Sequence, residues 1–250
     1  NRPPRCWIET TEPATGRERE MMIPEAFAHV TEWVFDLDNT LYPRHVDLFG
    51  QIDRKMTDYV ARLTGLPHPE ARELQKRLYR QHGTTLSGLM HEYDIDPYHY
   101  LADVHDIDYS AVMPHPELAR AISALPGRKH VFTNGDIPHA ERTLAALGFG
   151  PVFDAMFDIV RADFLPKPDR RTYERFLSEH VVDPRHAAMF EDMPRNLEVP
   201  KSMGMLTVLI RPHPEQEHGA EPWEIEGHAD PHIDFAVSDL EGFLKEIIRE

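Results

Sequence analysis

Two carboxylates two positions apart, Asp36 and Asp38, end the apolar run Trp33-Val34-Phe35. In an extended strand, side chains at that spacing share a face. In a turn beginning at Asp36 both can reach one reacting atom, so that one attacks while the other moves a proton. Asp-Asn-Thr is also ordinary turn chemistry, and the run Asp36-Leu37-Asp38-Asn39-Thr40 alone reads equally well as an Asx-rich turn closing a buried strand.

Three further pieces follow in order. Val131-Phe132-Thr133-Asn134-Gly135 is an apolar run ending in hydroxyl, amide and glycine, Lys167 lies between Pro166 and Pro168, and Ala188-Met189-Phe190-Glu191-Asp192 is an apolar run ending in acids. With the Asp36 run these span residues 34–196 and resemble the phosphatase branch of the haloacid dehalogenase superfamily. The run 83–90 (Gly-Thr-Thr-Leu-Ser-Gly-Leu-Met), with His105 to Tyr109 after it, is similar to the pyrimidine 5′-nucleotidase subgroup.

The resemblance implies roles. Asp36 is the expected nucleophile, forming an aspartyl-phosphate that splits one displacement into two, and Asp38 the expected general acid and base. Mg²⁺ is the expected cofactor, held by the carboxylates of Asp36 and Asp192 and the backbone carbonyl of Asp38, with Glu191 and Asn196 orienting coordinated waters. Thr133 and Asn134 are expected to bond the phosphoryl oxygens, and Lys167 to neutralise charge on them and on Asp36. Thr84, Thr85, His105 and Tyr109 are candidates for contacting the leaving group. An acid at position 38 favours an oxygen leaving group, because it can protonate the departing alkoxide; dehalogenase relatives place none there.

The elements that must position these residues follow from periodicity. Apolar residues at three-to-four spacing, Phe49, Ile52, Met56, Val60 and Leu63, predict a helix closing at Gly65. A second follows His68 and ends at Gly83, a third runs to Tyr93 from Thr85 or Ser87, either of them a good N-cap, and Asp96-Pro97 opens a fourth. From Pro116 onward helices alternate with short apolar strands: 32–37, 129–133, 157–161, 187–191 and 205–210, five in all, with Phe235-Ala236-Val237 and a helix over 239–248 closing the domain. The expected fold is α/β, a doubly wound parallel sheet with a Rossmann-like core and an inserted all-helical cap. Its parts are residues 23–45 and 113–250 for the core and 46–112 for the cap. Every motif then lies at the carboxyl edge of the sheet, where open parallel sheets bind ligands.

Residues 1–22 read as a disordered tail, with Met21 or Met22 a candidate start, and 211–232 as a surface loop. The 250 residues, 41% hydrophobic, allow one ordinary core plus a lid. No run approaches the roughly 18 apolar residues of a membrane span, and no secretory pattern opens the chain, so a cytoplasmic protein without membrane partners is expected. The single cysteine, Cys6, excludes an internal disulfide, and the 16 histidines lack zinc-site spacing. A formal charge of −16 argues against nucleic-acid polymers as partners and requires local cations wherever phosphate is handled. The expected substrate is a small phosphate monoester, foremost a pyrimidine nucleoside 5′-monophosphate. Sugar-phosphate hydrolysis, phosphomutase chemistry and catalytically idle phospho-ligand binding are the alternatives.

Overall fold

The computed structural model describes residues 23–212 and 230–248. The expected tail 1–22 and most of the expected loop 211–232 lie outside them. The strands are β1 (Glu32–Phe35), β2 (Arg128–Phe132), β3 (Ala155–Phe157), β4 (Ala187–Glu191), β5 (Leu206–Ile210) and β6 (Phe235–Val237). They form one sheet in the order β3-β2-β1-β4-β5-β6, every neighbouring pair parallel.

Most strands are short and largely apolar because both faces are covered, while β2 opens on Arg128-Lys129-His130 and is apolar only at its carboxyl end. Trp33 and Phe35 of β1, Val131 of β2 and Phe190 of β4 enter one core layer, while Val34, Phe132 and Met189 enter the other. The first layer packs against helices Pro116–Ala124, Ile137–Ala146 and Leu240–Ile247, the second against Arg170–His180 and Glu198–Met203. Phe35 and Phe190 stack at the centre with ring centroids 4.6 Å apart. The chain reverses its direction of travel across the sheet between β1 and β4, and the crevice at that switch point is where β1, β2 and β4 all end.

Four α-helices lie between β1 and Pro116, after a short 3-10 turn at Arg44–Val46: Leu48–Thr64, His68–His82, Thr85–Tyr93 and Pro97–Val104. They share an apolar cluster of their own, built from residues such as Ile52, Val60, Leu78, Leu89 and Tyr100 and joined by Ile159 from the loop after β3. Gly65 and Gly83 end the first two with positive φ (72° and 84°), as their positions predict. Gly88 lets the second and third helices approach closely, since a Cβ there would lie 2.7 Å from Leu78 Cβ.

Three sequence expectations are corrected. The third strand is 155–157 rather than 157–161, because Asp158 accepts from Ile137 N and Arg161 N (2.9 Å each) and turns the chain out of the sheet. That turn carries Ile159 into the helical cluster. The sheet has six strands, not five: Phe235–Val237 pairs with β5, three residues being too few to show a period. The third helix is capped by Thr84, whose hydroxyl accepts from Ser87 N (3.1 Å), rather than by Thr85 or Ser87.

Because Phe35 fills the centre of the sheet, Phe35→Ala is expected to lower unfolding free energy by about 3–5 kcal/mol. Urea denaturation checks this, and a loss below about 1 kcal/mol would contradict the packing described.

Candidate active site

β1 fixes Asp36 directly, since its backbone N–H still donates to Phe190 O (2.9 Å) in the ladder with β4. Leu37 then drops into the core, and Asn39 takes a left-handed φ of 60°, which asparagine tolerates. The chain turns so that Asp36 and Asp38 line the same cavity. The Thr40 hydroxyl reaches back to Asp36 Oδ2 (3.2 Å).

Lys167 is the hub. Its side chain is 1% exposed, and Nζ donates to Asp36 Oδ1 (2.7 Å), Glu191 Oε1 (2.8 Å) and Phe132 O (2.8 Å), using all three ammonium hydrogens. Burial works against the ammonium, but the Asp36 and Glu191 carboxylates outweigh it and hold its pKa above the ordinary lysine range. The Asn134 carboxamide places the lysine, accepting from Lys167 N (2.8 Å) and donating to Lys167 O (3.3 Å). Asn134 therefore spends its side chain on the loop rather than presenting both its polar atoms to a ligand. Thr133 Oγ1 accepts from Gly135 N (2.9 Å), which leaves the hydroxyl hydrogen for the cavity.

Glu191 is held by protein donors at both oxygens. Oε1 takes Lys167 and Asn196 Nδ2 (2.6 Å), and Oε2 takes Met193 N (2.7 Å). Asp192, one residue on, faces the Arg44 guanidinium at 3.0 Å. Carboxylate oxygens of Asp36, Glu191 and Asp192 lie within 4.8 Å of one another. Burial, with further push from Glu191 and Asp38 and with Lys167 opposing, drives the Asp36 carboxyl up to about 7. The negative charge gathered here thus exceeds what Lys167 balances. Asn196 Oδ1 is buried without a protein partner. Hard oxygen donors, surplus negative charge and an orphaned acceptor together fit a hydrated divalent cation.

Asp38 lies in different surroundings. Tyr42 OH (2.6 Å) and His139 Nε2 (2.8 Å) both contact its Oδ1. Burial alone would raise its pKa, but the His139 imidazole and the Tyr42 hydroxyl outweigh that and bring it below the ordinary carboxylate value.

The sequence-predicted residues converge. Asp36, Asp38, Thr133, Asn134, Lys167, Glu191, Asp192 and Asn196 line one cavity of about 150 Å³, and Thr84, Thr85 and His105 line it from the helical insertion. Tyr109 does not: its hydroxyl lies 2.9 Å from His139 Nδ1, behind the cavity wall. His139, Tyr42 and Arg44 were missed. Tyr42 follows Asp38 at helical spacing, a signal that was available, whereas nothing in the sequence tied His139 to a residue 101 positions earlier. The insertion also contributes Tyr79, which carries the Arg195 guanidinium 4.7 Å above its ring and accepts a hydrogen bond from it, and Tyr100, whose buried hydroxyl stands by Thr85 without a well-formed hydrogen bond.

Comparison with known proteins agrees with this geometry. The family model of the haloacid dehalogenase-like hydrolases matches residues 34–204. Phosphate metabolism protein 8 of Saccharomyces cerevisiae is 26% identical over 189 residues, 68% of this chain and 58% of the yeast protein. The chain thus spans little more than half the length of that relative. Among solved structures, CbbY from Rhodobacter sphaeroides in complex with phosphate aligns with a TM-score of 0.57 at 17% identity, over 86% of this chain and 99% of that one. L-2-haloacid dehalogenase from Xanthobacter autotrophicus aligns at 0.52 and 16%, over 86% and 97%. At these identities the structural likeness is one of fold.

Removing one partner of a buried ion pair strands the other's charge, at a cost of about 3–5 kcal/mol. Lys167→Met is therefore expected to lose about that much unfolding free energy in urea at neutral pH. The double variant Lys167→Met, Glu191→Gln is expected to recover part of it, because one stranded charge is gone. A single variant as stable as the parent would contradict the bridging role.

Proposed function

The chain belongs to the haloacid dehalogenase-like hydrolases, and from that premise we propose that it is a Mg²⁺-dependent phosphatase of small phosphate monoesters, with pyrimidine nucleoside 5′-monophosphates as its substrates. The observation that carries the phosphatase reading is Asp38, a carboxyl group held into the cavity two residues after Asp36. A departing halide needs no proton. A departing alkoxide does, and Asp38 is placed to give one. The yeast relative's name refers to phosphate metabolism and the CbbY neighbour holds phosphate, which supports the same direction.

In this reading an Asp36 oxygen forms a bond to phosphorus while the ester oxygen leaves and takes its proton from Asp38. Water then attacks the aspartyl-phosphate, surrendering a proton to Asp38, and Asp36 is regenerated as phosphate departs. Lys167 favours the charged form of Asp36, orients it and draws charge from the phosphoryl oxygens, with the Thr133 hydroxyl donating to them. Asp36, Asp192 and the backbone carbonyl of Asp38 would hold Mg²⁺, with Asn196 accepting from one of its waters. Bound there, the ion would supply the positive charge that this acidic site lacks. Glu191 gives three of its acceptor positions to Lys167, Asn196 and Met193 N, which leaves Oε2 one for a coordinated water.

The helical insertion acts as the cap. Phe49, Ile52, Met56, Leu86 and Val104 give the cavity apolar walls, and Asp53, Gln75, Lys76, Thr84 and Thr85 bring polar groups to it, with the buried Tyr100 hydroxyl beside Thr85. Apolar walls with a few placed polar groups suit a heterocyclic base better than a polyol.

Phosphate release across uridine, cytidine, adenosine and guanosine monophosphates and hexose phosphates tests both levels. Activity is expected to require Mg²⁺, to vanish in Asp36→Asn, and to favour the two pyrimidine nucleotides in kcat/KM. Tyr100→Phe, which removes only a hydroxyl, is expected to lower kcat/KM for those nucleotides by about tenfold while sparing p-nitrophenyl phosphate. Retained hydrolysis by Asp36→Asn would overturn the nucleophile, and preference for a hexose phosphate would overturn the nucleotide assignment alone.

A further inference from the structure

Asp38 is tethered at one oxygen only. Tyr42 OH and His139 Nε2 meet at Oδ1, at 2.6 and 2.8 Å, whereas Oδ2 turns toward Gly135, 3.8 Å from where a Cβ on that cavity-lining glycine would stand. His139 itself is fully buried and does not line the cavity, so it cannot touch a substrate.

Every side of His139 is fixed. Its backbone N–H donates to Asp136 Oδ1 (3.0 Å), the cap of helix Ile137–Ala146. Its ring stacks on His105 with centroids 4.5 Å apart and planes within 12°. His105 Nδ1 in turn stands 2.9 Å from Asp136 Oδ1, a close approach without hydrogen-bond alignment, which sets the stacked ring beside the same cap. Nδ1 of His139 faces the Tyr109 hydroxyl at 2.9 Å. That hydroxyl already accepts from Arg142 Nε (3.2 Å), whose guanidinium also lies over the Tyr109 ring at 5.6 Å. The one Tyr109 hydrogen has two acceptors in reach, His139 Nδ1 at 2.9 Å and His105 O at 3.4 Å, the latter already accepting from Arg142 Nη2 (3.2 Å), and the shorter contact directs it to Nδ1. A histidine that accepts at Nδ1 carries its proton on Nε2, the tautomer that can donate to Asp38.

We propose that His139 is a positioning residue for proton transfer, its tautomer set by Tyr109 and its ring by His105, which pins Asp38 Oδ1 so that Oδ2 alone exchanges protons with the leaving group and the water. The inference rests on the reading of Asp38 as acid and base. In the first step the Oδ2 proton passes to the ester oxygen as its bond to phosphorus breaks and the Asp36 oxygen bonds to phosphorus. The carboxylate that remains keeps two donors on Oδ1. In the second step water bonds to phosphorus, its proton returns to Oδ2, and Asp36 leaves as a carboxylate. His105 and Tyr109, candidates for base contact by sequence, thereby acquire a role in chemistry, although neither reaches the reacting atoms.

A positioning role separates from a merely structural one by its dependence on the leaving group. Kinetics of the parent protein, His139→Ala, His139→Gln and Tyr109→Phe are compared on a series of phosphate monoesters from p-nitrophenyl to simple alkyl, with beryllofluoride affinity in Mg²⁺ as the readout of the phosphoryl pocket. His139→Ala is expected to lose about 10–100-fold in kcat on alkyl esters. It should lose only a few-fold on p-nitrophenyl phosphate, whose leaving group scarcely needs a proton, with KM and beryllofluoride affinity held. His139→Gln, which can place an amide N–H near the position of Nε2, is expected to restore part of the loss. Tyr109→Phe should show a smaller loss with the same leaving-group dependence, and it decides the matter if His139→Ala does not fold. Equal losses on both ester classes, no loss on alkyl esters, or loss of beryllofluoride binding in step with activity would each overturn the inference. A parent protein that hydrolyses no ester would overturn the phosphatase reading beneath it.

Discussion

A lysine ammonium with 1% exposure, shared between two buried carboxylates, is the constraint around which the rest is arranged. Stripping three charges of water costs several kcal/mol each, and their mutual attraction repays it only when geometry is close and remaining polar atoms are satisfied. Here they are satisfied. Lys167 uses its third hydrogen on Phe132 O, Glu191 takes Asn196 and Met193 N, and Asp36 takes Thr40. Three strand ends and one loop must therefore meet at a single point, and the order β2-β1-β4 at the middle of the sheet is what brings them there. Burial first, and then the Glu191 and Asp38 carboxylates, raise Asp36 to about 7 against the pull of Lys167, and three acids, Asp36, Glu191 and Asp192, face two cations, Lys167 and Arg44. That deficit is what fits it to a divalent cation and an anionic substrate.

The helical insertion is coupled to this centre in two places. On the cavity side, Thr84, Thr85, Tyr79 and Tyr100 present the polar and aromatic groups that a leaving group would meet. Behind it, His105 and Tyr109 follow the last inserted helix and pack onto His139, the histidine that holds Asp38. In the proposed mechanism one segment of chain thus bears on both what is bound and how a proton moves. Arg44, just before the insertion, adds an ion pair to Asp192. Among the described residues no helix is long and apolar enough to cross a membrane.

What was legible in the sequence was whatever depends on local pattern. Strand ends carry the motif residues because an apolar run stopping at Asp36, Thr133 or Glu191-Asp192 reveals both the strand and its edge, and Gly65, Gly83 and Asp96 punctuate helices by their own conformational preferences. The helical insertion was legible for the same reason. What was hidden depends on partners distant in sequence. β6 is defined by pairing to β5, not by its three residues, and Asp158 ends β3 early by capping a helix that begins 21 positions before it. His139 reads as one scattered histidine among 16 until the fold sets it against Asp38. Tyr109, by sequence a candidate for leaving-group contact, sets its hydroxyl against His139 Nδ1 instead, and the Asn134 amide braces Lys167.

The central claim is that Asp36 attacks phosphorus and is released by water, two displacements at one centre. The stereochemical course tests it most directly, using a monoester whose phosphorus is made chiral with sulfur and oxygen isotopes, hydrolysed in isotopically labelled water. Each in-line displacement inverts phosphorus, so two of them predict net retention of configuration in the released thiophosphate. Net inversion would mean a single direct attack by water, and would contradict the account whatever the enzyme's substrate proves to be.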